Sequence, residues 1–92
     1  MIVRIAGEGQ FRIRDEDQDK LNELDNATVA AVEADDEPSF LDLWGQMLAL
    51  VEAEGEALDE DELVASDIIL PPRDLSLDEA RNEFTGEGLI PD

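Results

Sequence analysis

Met1-Ile2-Val3-Arg4-Ile5-Ala6-Gly7-Glu8-Gly9-Gln10-Phe11-Arg12-Ile13-Arg14 alternates apolar and polar side chains on either side of a Gly-Glu-Gly step. Successive strand residues point to opposite faces. Val3 and Ile5 therefore share one face of Met1–Ala6, and Ile2 and Arg4 share the other. The same reading places Phe11 and Ile13 opposite Gln10, Arg12 and Arg14. Gly7 and Gly9 are free to take the positive φ that a tight hairpin turn needs. The stretch predicts a β-hairpin with one apolar face, and that face needs helices to cover it.

Downstream the period lengthens to that of a helix. Asp15 is placed to cap the first helix, with Asp17 and Asp19 near its positive end. Leu21, Leu24, Thr28 and Val32 follow at helical spacing, which predicts a helix over 16–35. Asp35-Asp36-Glu37-Pro38 ends it, because proline disfavours helix at the residue before it. Ser39 then opens a second helix, with Asp42 completing a variant capping box, and the helix runs to Glu54 with Gly55 as its stop. Phe40, Leu41, Leu43, Trp44, Met47, Leu48, Leu50 and Val51 cover roughly half of its circumference. Leu43–Val51 carries no charge. A stripe this wide reads either as a central core helix or as a partly exposed partner groove or dimer seam.

Glu56–Glu62 reads as an acidic linker. Ile68-Ile69-Leu70 suits a short third strand, stopped by Pro71-Pro72, that extends or covers the sheet. Ser76-Leu77-Asp78-Glu79 is a capping box that opens a last helix over 76–84. Thr85–Asp92 reads as a loop-like tail. The expected fold is α+β in a single domain, residues 1–92: an N-terminal β-hairpin, two longer helices, a short third strand and a C-terminal helix.

Composition narrows the chemistry. The chain has 26 Asp and Glu against 6 Lys and Arg, a net charge of −20 over 92 residues, and no His, Cys or Tyr. It thus lacks an imidazole base or ligand, a thiolate, a zinc thiolate site and a disulfide. Leu, Ile, Val and Phe make up about 28% of the residues, above the roughly 20% below which a charged chain stays unfolded. No run approaches the ~20 apolar residues of a membrane span, and residues 1–14 lack the apolar core of a signal peptide. A cytoplasmic location follows as the expectation. The acidity reads either as a solvated surface adapted to a salt-rich cytosol, or as a face that docks a basic partner or mimics nucleic acid. Direct nucleic-acid binding needs clustered Lys and Arg, which are missing.

Few residues stand out as sites. Arg4, Arg12 and Arg14 are half of the 6 basic residues, and the alternation places them on the outer face of the hairpin. They either neutralise acids of the same domain or contact an acidic partner or lipid phosphates. Asp15, Asp17 and Asp19 open like a calcium loop, but Lys20 stands where that loop needs Gly and Asn26 where it needs Glu. Asp59-Glu60-Asp61-Glu62 are consecutive and do not converge on one ion. Gly7–Gly9 lacks the spacing of a phosphate loop. No catalytic residue, metal or cofactor is expected.

The two ends carry a resemblance. Met1–Ile13 is similar to the start of the PspA-associated (PspAA) family, and Leu21-Asn22-Glu23-Leu24-Asp25-Asn26 to its first helix. Glu62–Pro72, then Asp74, Leu77, Glu79, Ala80 and Glu87-Gly88-Leu89-Ile90-Pro91, resemble its C-terminal half. Residues 33–60 match by helical pattern more than by residue. The acidity resembles that of a haloarchaeal member. The resemblance implies a non-enzymatic component of a phage-shock-type envelope stress response. Its expected partner is phage-shock protein A, a coiled-coil, ESCRT-III-like protein that coats stressed membranes. It implies a cytoplasmic protein, or one held at the inner membrane face through that partner, and carries over no ligand residues. Candidate contacts are Arg4, Arg12 and Arg14, and two short apolar segments flanked by proline: Ile68, Leu70, Pro71 and Pro72, and Leu89, Ile90 and Pro91. Such segments are equally core strands and caps. The alternative is an acidic protein that inhibits a basic nucleic-acid-binding protein by mimicking phosphate.

Molar salt shortens the Debye length to about 3 Å, which screens repulsion among the carboxylates. The melting temperature, followed by circular dichroism, is expected to rise steeply from low to molar KCl. A flat curve contradicts the halophilic reading.

Overall fold

Hairpin strands β1 (Ile2–Ile5) and β2 (Gly9–Arg12) pair antiparallel, with Val3 opposite Phe11 and Arg4 opposite Gln10. The computed structural model describes residues 1–59 and 64–84. The Glu8 N–H donates to the Ile5 carbonyl at 2.9 Å, closing a turn in which Gly7 has φ 81° and Gly9 φ 120°. These are positive values that side chains resist, as the Gly-Glu-Gly step predicts.

Helix α1 spans Asp15–Glu33 and α2 spans Glu37–Glu54. Their ends differ from the sequence reading. Asp15 is the first helical residue of α1, not its cap; Arg14 occupies that position in extended conformation and makes no side-chain capping bond. Asp15, Glu16 and Asp17 face the positive end of the helix from its first turn. At the other end Asp35 takes φ 58°. The Asp35 N–H donates to Val32 O (3.1 Å) and the Asp36 N–H to Ala31 O (2.9 Å). This is the paired closure that a left-handed residue after a helix makes possible. Asp36 then caps α2 by accepting from the Ser39 N–H. Pro38 therefore lies in the first turn, where no N–H is needed, and does not hold the helix off until Ser39. Asp42 pairs with Gln46 (2.9 Å) and takes no part in the cap.

Two further strands complete the sheet. β3 (Glu56–Ala57) pairs antiparallel with β2, inside the stretch expected as linker; two residues carry no alternation to read. β4 (Ile68–Leu70) pairs parallel with β1, with Ile69 beside Arg4, so the expected third strand is the fourth. The order is β3-β2-β1-β4. Helix α3 (Leu77–Glu83) opens on the expected capping box, the Ser76 hydroxyl accepting from the Glu79 N–H and the Glu79 carboxylate from the Ser76 N–H. Within the acidic run, Glu60–Glu62 lie outside the described residues, as does the tail 85–92.

One hydrophobic core joins the layers. Val3, Ile5 and Ile13 of the hairpin meet Leu21 and Val32 of α1 and Phe40, Trp44, Met47, Leu48 and Val51 of α2. The wide apolar stripe of α2 is thus a core stripe, with Leu43 and Leu50 partly buried and Leu41 exposed. Phe84, just past α3, sets its ring edge-on to Phe40 (6.3 Å) and Trp44 (5.8 Å) and locks α3 onto α2.

Gly55 ends α2 for a different reason from the one expected. Its φ of −78° and ψ of 149° are open to any residue. Space is the constraint: a Cβ there would lie 2.3 Å from Val51 O, 2.9 Å from Ile13 Cδ1 and 3.0 Å from Phe11 Cβ. Gly45, exposed inside α2, has nothing within 4 Å of such an atom. Gly55→Ala is expected to destabilise by about 1–3 kcal/mol through overpacking. Gly45→Ala is expected to stabilise by about 0.5–1 kcal/mol by removing backbone freedom from the unfolded chain. Urea unfolding followed by the fluorescence of Trp44 measures both, and equal effects would contradict the steric account.

Candidate partner interface

The sheet buries one face only. Val3 and Ile5 on β1 and Ile68 and Leu70 on β4 point into the core, while Arg4 and Ile69 between them are exposed. Side chains opposite one another across a sheet share a face. The outer face therefore carries Ile2 and Arg12, Arg4 and Gln10, with Ile69 next to Arg4. The Gln10 side-chain amide donates to the Val64 carbonyl (3.0 Å) and the Ser66 hydroxyl (2.8 Å). Asp67 accepts from the Ile2 N–H at 2.7 Å. The chain ahead of β4 is thus held against this face.

The predicted site residues separate. Ile68 and Leu70 are core, at 6% and 0% exposure, and Pro71 is buried beside them. Pro72 is exposed. Leu89, Ile90 and Pro91 lie outside the described residues. The three hairpin arginines do not act together either. β2 ends at Arg12, and Arg14 has turned to the helices. Its guanidinium donates to Asp17 (3.1 Å) and lies 3.5 Å from both Glu16 and Glu54. Asp17 is buried, so this contact supports the fold. The hydrogen bond that Arg14 donates to Asp17 and the charge of Asp17, more than the charges of Glu16 and Glu54, raise the Arg14 pKa. A raised pKa keeps Arg14 charged at every pH below the unfolded value and releases that charge only in strong alkali. Arg12 reaches Glu56 at 3.9 Å, both well exposed, a contact of marginal strength. Arg4 has no carboxylate partner among the described residues.

The remaining arginines tie elements together. Arg73 holds Glu8 of the hairpin turn (2.9 Å) and Glu52 of α2. Arg81 holds Asp78 and, across the fold, Asp35 of the α1–α2 turn. Ile69 lies within the predicted Ile68–Pro72 segment but is not singled out by the sequence, and it is the member of β4 that is exposed. The inward–outward alternation of β4 marks it, once β4 is known to lie in the same sheet as β1.

Among the described residues no group of three or more acidic, His or Cys side chains is placed to hold a metal. No described helix is long and apolar enough to cross a membrane. The arrangement defines a small α+β domain that offers a mixed cationic and aliphatic sheet surface. The chain belongs to the PspA-associated family, whose model, described as PspA-Associated protein, matches residues 1–92, the whole length. No curated protein and no solved structure matches it.

Arg14→Ala is expected to lower the melting temperature, because buried Asp17 loses its partner. Arg4→Glu is expected to leave it nearly unchanged. Thermal unfolding of the two variants side by side checks the division between a fold-holding and a surface arginine; an equal loss in both overturns it.

Proposed function

We propose that this chain is a non-enzymatic adaptor or regulator that binds a phage-shock protein A homologue in a membrane stress response. The full-length match to a family described by association with PspA carries the reading. The exposed sheet face is consistent with it, since one strand face covered and the other open is how a small domain presents a binding surface. Among the described residues, Arg4, Arg12, Arg14 and Pro72 are the predicted contacts that remain exposed, with Arg14 committed to Asp17. The protein works in the cytoplasm and reaches the inner membrane face through its partner. A net charge of −20 is repelled by anionic lipid, which argues against direct docking on the bilayer. We read the acidity itself as adaptation to a salt-rich cytosol.

Affinity purification of the tagged chain from its host at native salt, with mass spectrometry of the retained proteins, tests the reading. Enrichment of a coiled-coil phage-shock protein A homologue is the expected result. Enrichment of a basic nucleic-acid-binding protein, displaced by added duplex DNA, would replace this reading with phosphate mimicry. If neither is retained, the adaptor role is lost.

A further inference from the structure

We propose that the patch around Arg4 and Ile69 is the docking surface, and that it takes a short acidic–aliphatic segment of the phage-shock protein A homologue, one carboxylate flanked by aliphatic side chains. The inference rests on the partner reading above and adds to it the place of contact and the chemistry of the segment.

Charge is the first observation. In a chain with 26 carboxylates, a cation left without one is the exception. Arg12, Arg14, Arg73 and Arg81 each have a carboxylate partner. Lys20, exposed on α1, forms no ion pair among the described residues, but it sits among acids at helical spacing, Glu16 four residues before it and Glu23 three after. Arg4 is flanked across the sheet by Gln10 and Ile69, neither of them charged.

Apolar exposure is the second. Ile69 (63%), Leu41 (53%) and Val64 (38%) are the exposed large hydrophobic residues among those described. Ile69 is the Cα partner of Arg4, and Val64 is tied by its carbonyl to Gln10, the neighbour of Arg4 on the other side. Two of the three thus gather at the one arginine that has no carboxylate partner among the described residues.

A single guanidinium beside aliphatic side chains is complementary to a single carboxylate within an apolar segment. A more acidic segment would be repelled by the net charge of −20. That charge also selects among occupants. A second copy docking by the same patch would bring Arg4 against Arg4 and two acidic bodies together. A lipid phosphate surface would meet one cation and the same repulsion.

The test is calorimetric titration of the purified full-length chain with the phage-shock protein A homologue of the same organism, at native salt. It compares wild type, Arg4→Glu, Ile69→Asp and Leu41→Asp. Trp44 fluorescence and the melting temperature verify that each variant is folded. All three substituted side chains are exposed, so folding should survive. Arg4→Glu and Ile69→Asp are each expected to weaken binding about tenfold or more, as truncation of central interface residues does. Leu41→Asp, on α2, is expected to leave it unchanged. One Asp or Glu of the homologue changed to Lys is expected to restore binding to Arg4→Glu.

Equal binding by wild type and both sheet variants overturns the surface and leaves the partner reading standing. Loss confined to Leu41→Asp overturns it in favour of α2. Dimerisation of the chain, or binding to anionic vesicles, that Arg4→Glu abolishes assigns the patch to another occupant. No binding by wild type overturns both the surface and the partner reading.

Discussion

An excess of like charge governs how this fold is held together. With 26 carboxylates and five arginines, cations are scarce, and four of the arginines are placed where elements meet. Arg14 links the start of α1 to the end of α2, and Arg12 links β2 to β3. Arg73 joins the hairpin turn, α2 and the loop after β4, and Arg81 joins α3 to the turn between α1 and α2. The pairs exposed on both sides are individually weak; Arg14 with buried Asp17 is the exception. Their value lies in position: each relieves acid-on-acid repulsion at a junction that the hydrophobic core alone would leave strained. The fifth, Arg4, is the one arginine free of this duty among the described residues.

Side-chain period made much of this architecture legible in advance. The hairpin, the two longer helices, the strand at Ile68–Leu70 and the capping box of α3 follow from alternation, helical spacing and cap chemistry. What escaped was set by tertiary contact. β3 is two residues long and exists because β2 offers it an edge. The position of Gly55 after the helical pattern suggests a conformational stop, whereas packing of α2 against Ile13 and Phe11 leaves no room for a side chain. The cap of α2 fell on Asp36 because Asp35 could take a left-handed conformation, a choice that local sequence only weakly favours.

The candidate surface was half legible for the same reason. Arg4 and Arg12 stand on the outer face as alternation requires. Arg14 keeps that parity in sequence but has left the strand, and its guanidinium is held by Asp17 in the first turn of α1 and reaches Glu54 at the end of α2. For Ile68–Leu70 the apolar run was visible, but which of its members face outward depends on the strand beside it. That partner, β1, lies at the other end of the chain.

This last pairing bears on how the protein comes to be folded. The Ile2 N–H and the Asp67 carboxylate that meets it are 65 residues apart, and β1 is sandwiched between a neighbour made within a few residues and one made near the end of the described chain. A hairpin alone is marginal in water, and contacts of such separation slow the search for the native state. During synthesis the central strand therefore waits, one edge unpaired, until β4 has emerged. The nascent chain spends that interval with an open template for wrong pairing. The like charges spread along it then act as its own protection against association.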